Sequence, residues 1–310
     1  MTLWLIPPYS LKSMTFQLFL QHLANGISLG SLYALIAIGY TMVYGILRLI
    51  NFAHGDIFMM AIYFAYYGIL MFTLPWYISF PVAAILTAIL GLSIDKIAYK
   101  PLRNAPRISA LISAIGVSFF LQNLGIVIFG GRPKGFQRPA LFTKMFEPGG
   151  IKIQSVVFII PVVTIVLLVA LSYLVYRTKQ GMAMRAVSKD FETARLMAIN
   201  VDSIVALTFT IGSALAAFGG IMWALRYPAV FPLMGMVPGL KAFIAAVLGG
   251  IGSIPGAMIG GYLIGLLEIM LVAFFPELAG YRDAYAFVIL LVILLVKPTG
   301  IIGEKIEEKV

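Results

Sequence analysis

The sequence predicts an all-α integral membrane protein, a polytopic bundle of about eight to ten transmembrane segments with broken or re-entrant helices. Three observations lead there. Of 310 residues, 61% are hydrophobic and 11% charged, where soluble domains carry about 25% charged residues, so a folded surface could not be kept wet. The apolar residues come in runs of about 20 or more, each able to cross a hydrocarbon core roughly 30 Å thick. Two runs are interrupted by polar or glycine-rich stretches that cannot continue a helix quietly.

Taken in order, residues 1–14 form an N-terminal extension without a cationic start or a small-residue cleavage site, and Met14 is a candidate biological start. No Asp, Glu, Lys or Arg occurs from Thr15 to Leu47. That run is too long for one untilted span and is expected to divide into an interfacial helix over 16–24 and a span over 26–47. Further spans are expected at 50–72, 76–94, 108–129, 154–176, 203–225, 237–248, 257–275 and 281–296, the segment at 237–248 being short enough for a half-helix. G-x-x-x-G pairs at Gly26 and Gly30, Gly256 and Gly260, and Gly261 and Gly265 let helices approach closely, within the bundle or at a subunit interface.

The interruptions are Leu49-Ile-Asn51-Phe-Ala-His54-Gly55-Asp56 and Leu248-Gly-Gly250-Ile-Gly252-Ser253-Ile-Pro-Gly256, a pair that hints at a structural repeat. Backbone freed at membrane depth must face protein or a watery cavity, which makes Asn51, His54, Asp56, Gly250, Gly252 and Ser253 candidates for a solute path. The alternative is that Asn51 and His54 cap helix ends, with Asp56 in the first turn of the next helix. Lys241, alone in an apolar segment, either snorkels, pairs with Asp56, Glu268 or Asp283, or meets a solute carboxylate.

Composition excludes other chemistry. Without cysteine there is no disulfide or thiolate, and His22 and His54 alone make no metal cluster. No glycine is followed by lysine, so the phosphate-cradling loop of P-loop ATPases is missing. The 22 Lys and Arg exceed the 12 Asp and Glu, but they are scattered through short loops; anionic lipid explains them better than nucleic acid. Two spans separate the loop bearing Lys96, Lys100, Arg103 and Arg107 from the one bearing Arg177, Lys179, Arg185, Lys189 and Arg195, which puts both on one side. The loop between those spans is equally basic, so charge alone does not orient the chain.

Within 177–203, apolar residues at 184, 187, 191, 194 and 198 have helical spacing. Asp190 is suited to cap a helix starting at Phe191 and Asn200 to end it. The apolar face either docks on another protein or lies against the bundle or lipid.

Several stretches resemble the LivH-type permeases of bacterial branched-chain amino-acid ABC importers: Gly30-Ser-Leu-Tyr-Ala-Leu-Ile-Ala, Gly39-Tyr-Thr-Met-Val-Tyr-Gly45, Asn51-Phe-Ala-His-Gly55, Ala110-Leu-Ile-Ser-Ala-Ile-Gly116, Lys241-Ala-Phe, Val247-Leu-Gly-Gly-Ile-Gly-Ser-Ile-Pro-Gly-Ala-Met-Ile-Gly-Gly261 and Lys297-Pro-Thr-Gly-Ile-Ile-Gly303. The resemblance implies a permease domain over 15–298, a cytoplasmic coupling loop at 177–203 seated on an ATPase, and a charged tail at 299–310. It assigns coupling to Gly181, Arg185, Ala186, Asp190, Ala194 and Ile199, with Ala198 standing where the family usually has glycine. It further implies a multi-pass protein of the bacterial inner membrane that binds no cofactor. Its expected partners are membrane lipid, a second homologous permease, two ATP-binding subunits that consume the ATP, and a periplasmic or lipid-anchored amino-acid-binding protein. The expected cargo is Leu, Ile or Val, with another amino acid, urea or an amide as alternatives. Broken helices with acids inside the membrane leave one rival from another class, an ion-coupled secondary transporter using Asp56, Glu268 or Asp283.

Overall fold

A computed structural model describes residues 15–103, 105–147, 152–297 and 299–303, so the N-terminal extension, the start at Met14 and residues 304–310 of the tail lie outside it. Thr15 caps α1 (Phe16–Leu47), its hydroxyl accepting from the Leu18 amide. The helix runs unbroken where the sequence suggests an interfacial piece followed by a span. Asn25 lies at the expected division, but Arg226 donates to its side chain at 2.6 Å and Gly26 sits close against Leu266, so packing carries the helix straight through. At 32 residues α1 is about 48 Å long. It ends at Arg48, whose left-handed backbone (φ 52°) closes the last turn on Tyr44.

Residues 48–53 then turn back into the bundle and α2 (His54–Leu70) begins beside Gly39. After Pro75, α3 (Trp76–Ile94) follows and continues as a π turn, Asp95–Tyr99, and a 3-10 turn, Lys100–Leu102. α4 is Arg107–Phe129. The next loop folds through β1 (Lys134–Gly135), the short α5 (Ala140–Thr143), β2 (Met145–Phe146) and β3 (Ile153–Gln154), and Phe142 pins it to Trp76 with ring centroids 5.4 Å apart. α6 (Ser155–Arg177) leads to the short helices α7 (Lys179–Lys189) and α8 (Phe191–Leu196), and α9 is Val201–Arg226. β4 (Ala229–Val230) pairs antiparallel with β1, and β2 pairs with β3. Last come α10 (Met236–Gly249), α11 (Ile254–Phe274), a 3-10 turn over Pro276–Tyr281, and α12 (Arg282–Val296).

Among the described residues, seven helices are long and apolar enough to cross a membrane. α2 and α10, at 17 and 14 residues, are shorter helices of the same bundle, and the whole bears out the all-α polytopic bundle. The helices alternate consistently. Gln21 at the start of α1 donates to the carbonyl of Lys152, placing the N-terminal end beside the 130–154 loop. Arg103 and Asp202 join the end of α3 to the start of α9 on the opposite face, as expected for those two basic loops. Residues 301–302 bond to Leu248 and Gly249, and Gly252 approaches Gly45 near the end of α1, so residues 301–302 lie on that second face.

α1, α2 and α3 make contacts that α9, α10 and α11 mirror. α1 and α9 run antiparallel, with Gly39 against Gly212, Ile36 against Gly219 and Asn25 against Arg226. α3 packs on α9 where Gly91 meets Ser213, and α11 packs on α1 where Gly261 meets Ala34. α2 and α10 both start inside the bundle, and their first turns touch through Gly55, Gly235 and Gly239. The counterpart of the break at 48–53 is therefore 227–235. The glycine stretch at 248–256, expected to be the second member, is a tight turn between α10 and α11 instead; its positive-φ glycines, Gly250, buried against residues 302–303, and the exposed Gly252, reverse the chain. All three G-x-x-x-G pairs are consumed inside the chain: Gly26, Gly30, Gly261 and Gly265 form the α1–α11 seam, and Gly256 and Gly260 the seam of α11 with α10.

Candidate functional site

The junction of α2 and α10 gathers the polar residues of the first break. Ala53 offers α2 no side-chain cap, so Asn51 does the work: its Oδ1 accepts from the Ala53 amide at 3.1 Å and from the Tyr99 hydroxyl at 2.8 Å. His54, fully buried, lies against Gly39 with its ring centroid 4.5 Å from that of Tyr40. Asp56 sits in the first turn of α2, where the helix dipole favours a carboxylate, and accepts from Ser118 of α4 at 2.5 Å. Asn51 and Asp56 take the places the capping alternative gives them, whereas His54 opens α2 without capping a helix end, and Asn51 Nδ2, His54 Nε2 and Asp56 Oδ1 are buried without a hydrogen-bond partner. Such groups are costly in an apolar surrounding, and Asn51, His54 and Asp56 bring three of them into one polar seam where α2 begins. A narrow apolar recess lined by Tyr40, Tyr44, Ile50, Phe243, Ala246 and Ile251 adjoins it. Gly250, Gly252 and Ser253 are not part of the seam; the Ser253 hydroxyl caps α11 by accepting from the Gly256 amide.

Lys241, in the second turn of α10, is 3% exposed and ion-paired with Glu268 of α11 at 2.9 Å and Asp283 of α12 at 2.6 Å. Of the three carboxylates expected for it, Asp56 is the one it does not meet. Tyr33 of α1 donates to the same Glu268 oxygen at 2.9 Å, a partner with no sequence signal.

On the opposite side of the fold, α7 and α8 form a cap on the ends of α6 and α9. Gly181 lies so close to the carbonyls of Leu174 and Val175 that no side chain fits. Arg185 reaches back to the Val175 carbonyl and covers the Tyr176 ring at 5.6 Å, so it clamps α7 to α6. Ala186 is half-buried. Asp190 caps α8 as the sequence predicts, accepting from Glu192 and Thr193 at 2.9 and 3.1 Å. Of the expected amphipathic stripe, Met184, Val187 and Ala194 are buried against the bundle and Phe191 half-buried, while Ala198 is exposed because α8 has ended before it. The large apolar residues pointing away are others, Met182, Leu196 (86% exposed) and Met197 (73% exposed). Asn200 does not end α8. It caps α9, accepting from Ser203, because α8 already stops at Leu196 and the chain turns through Ala198, with Ile199 bonded back to Ala194. Ala198 has φ 58°, a left-handed conformation that costs an L-residue roughly 1–2 kcal/mol. Ala198→Gly is expected to relieve that strain. After the extra unfolded-state freedom of glycine, about 0.4–1 kcal/mol, a small net rise in thermal stability in detergent remains.

Residues 22–296 match the family described as branched-chain amino acid transport system / permease component. The chain belongs to this family. Over 308 residues it is 42% identical to the high-affinity branched-chain amino acid transport system permease protein LivH of Escherichia coli K12, covering 95% of this chain and 99% of that one. Identity with the permease protein BraD of Pseudomonas aeruginosa PAO1 is 43% over 307 residues, 94% and 98% of the two chains. A probable LivH of Methanocaldococcus jannaschii is 30% identical over 91% of each. No solved structure matches. The chain is a multi-pass protein of the inner membrane and a transport permease component.

Proposed function

We propose that the chain is the transmembrane permease subunit of an ABC importer that carries Leu, Ile and Val inward, driven by separate ATPase subunits. The observation that carries this reading is similarity along nearly the whole length of both LivH and BraD. The ATPases would seat on α7 and α8, which makes that face cytoplasmic, and the exposed Leu196 and Met197 want an apolar partner there. Gly181, Arg185, Ala186, Asp190, Ala194 and Ile199 shape this cap. The seam at Asn51, His54 and Asp56 would border the path, at the meeting of two half-helices. A second homologous permease and an amino-acid-binding protein on the opposite face complete the assembly. The bundle itself supplies alternative packings whose balance the partners bias.

The test is uptake into vesicles holding all partners. ATP-dependent accumulation of Leu, Ile and Val is expected; uptake of other solutes but none of these three would overturn the substrate, and transport by the chain alone under an ion gradient would overturn the class. Asp190→Ala, which removes a cap worth about 0.5–2 kcal/mol, is expected to reduce co-purification of the ATPases, whereas Asp190→Asn, still an acceptor, retains it.

A further inference from the structure

We propose that Asp202, Arg103, Asp95 and Tyr99 form a linkage that conveys displacement of the α7–α8 cap to the turn at Asn51 from which α2 starts. The inference rests on the coupling role proposed above and names the positioning residues that carry it.

The linkage begins at Asp202, in the first turn of α9, six residues after the end of α8 and two after the Asn200 cap. Arg103 holds Asp202 with one guanidinium nitrogen at 2.5 Å and, with the other, both oxygens of Asp95 at 2.7 and 2.9 Å. Lys100 adds a 3.0 Å ion pair to Asp202. A planar guanidinium shared between two carboxylates fixes orientation as well as distance. Asp95 is 1% exposed and opens the π turn that ends at Tyr99. A π turn is a local fault in the helix ladder, found often at functional sites, where register can shift without breaking the helix. From that turn the Tyr99 hydroxyl reaches Asn51 Oδ1, the same oxygen that caps the start of α2 in the absence of any cap from Ala53. α2 then carries His54 and Asp56 within its first three residues. Asp202 to Arg103, Arg103 to Asp95 and Tyr99 to Asn51 are directional polar contacts, Asp95 and Tyr99 are joined by the backbone of the π turn, and the four charges, Asp95, Asp202, Lys100 and Arg103, balance. A shift of α9 at Asp202 therefore pulls Arg103 with it, turns the π segment and disturbs the oxygen on which the entry to α2 depends.

The test uses the complete importer in vesicles, comparing solute taken up per ATP hydrolysed. Tyr99→Phe deletes one hydroxyl from a buried ring and leaves the fold; Asp202→Asn keeps the shape and removes the charge. Loss of the buried Tyr99 hydrogen bond is expected to lower uptake per ATP up to about tenfold, and Asp202→Asn, at a carboxylate 43% exposed, by less, with ATP hydrolysis and assembly retained within about twofold in both. Asp202→Glu is expected to restore the ratio. If Tyr99→Phe and Asp202→Asn both leave uptake per ATP unchanged, or if uptake and hydrolysis fall in parallel with thermal stability, these residues are merely structural and the linkage is overturned. Failure of the unaltered importer to show ATP-dependent uptake would instead remove the proposed function.

Discussion

Lys241→Met is expected to destabilise the bundle by about 3–5 kcal/mol, the cost of leaving the other half of a buried ion pair uncompensated. The stranded group is Glu268, 8% exposed, which would retain the Tyr33 hydroxyl at 2.9 Å and Arg282 at 3.8 Å. Asp283 contributes little to that cost, because it is half exposed at the start of α12 and can turn to solvent; Asp283→Asn is expected to cost no more than about 1 kcal/mol. The double variant Lys241→Met with Glu268→Gln removes both charges and still offers Tyr33 an acceptor, so it should regain most of the loss. Thermal unfolding in detergent measures all three. A single Lys241→Met variant as stable as the parent would show that the pair does not tie α10 to α11 and α12.

The helices were legible because lipid demands about 20 consecutive apolar residues, and that demand is written locally. The span at 76–94 is the observed α3, and 108–129 differs from α4 by one residue. What depends on a distant partner was less legible. A G-x-x-x-G pair announces close approach without naming the helix that approaches, and the charge-free run before Leu47 does not say that Arg226 will hold Asn25 inside one continuous helix. The glycine stretch at 248–256 looks like a helix break because positive-φ glycines serve a tight turn and a half-helix start equally well, while the true second break, 227–235, hides in ordinary loop composition. Asn200 could end one helix or begin the next; Ala198, a left-handed residue without glycine to mark it, decided for the next. In the candidate site, Asn51, His54 and Asp56 stood out as polar residues in apolar sequence, and the structure gathers them. Arg103 and Asp95 gave a fainter signal, charges just past a 19-residue apolar helix, while Tyr99 and Tyr33 gave none, since an aromatic residue at a bundle surface and one inside a hydrogen-bond network read alike.

Gly261→Leu is expected to prevent the folded permease from accumulating. The α1–α11 seam brings backbone to backbone: a Cβ at Gly261 would fall on the backbone of Ala34, with the Ala34 Cβ 2.8 Å away, and one at Gly30 would lie 2.8 Å from the Tyr262 Cα. Overpacking a core typically costs about 1–3 kcal/mol when side chains can give way; here the obstacle is main chain, so the helices themselves must part. Parting them is especially damaging in lipid, where no hydrophobic drive pushes helices together and close packing is the main attraction. The seam should therefore show a gradient. Gly26→Ala meets chiefly the movable end of Leu266, at 2.9 Å, and is expected to be the mildest of the seam substitutions, while Gly265→Ala, against the Gly30 backbone, should be severe. Gly116 in α4 has nothing within 4 Å of a built Cβ, so Gly116→Ala should raise stability by about 0.5–1 kcal/mol through helix propensity alone. Folded yield and melting temperature in detergent across these variants would test the ranking. Equal tolerance at Gly116 and Gly261 would mean that α1 and α11 do not meet through their glycines, and the antiparallel framework that brings α2 and α10 end to end would go with them.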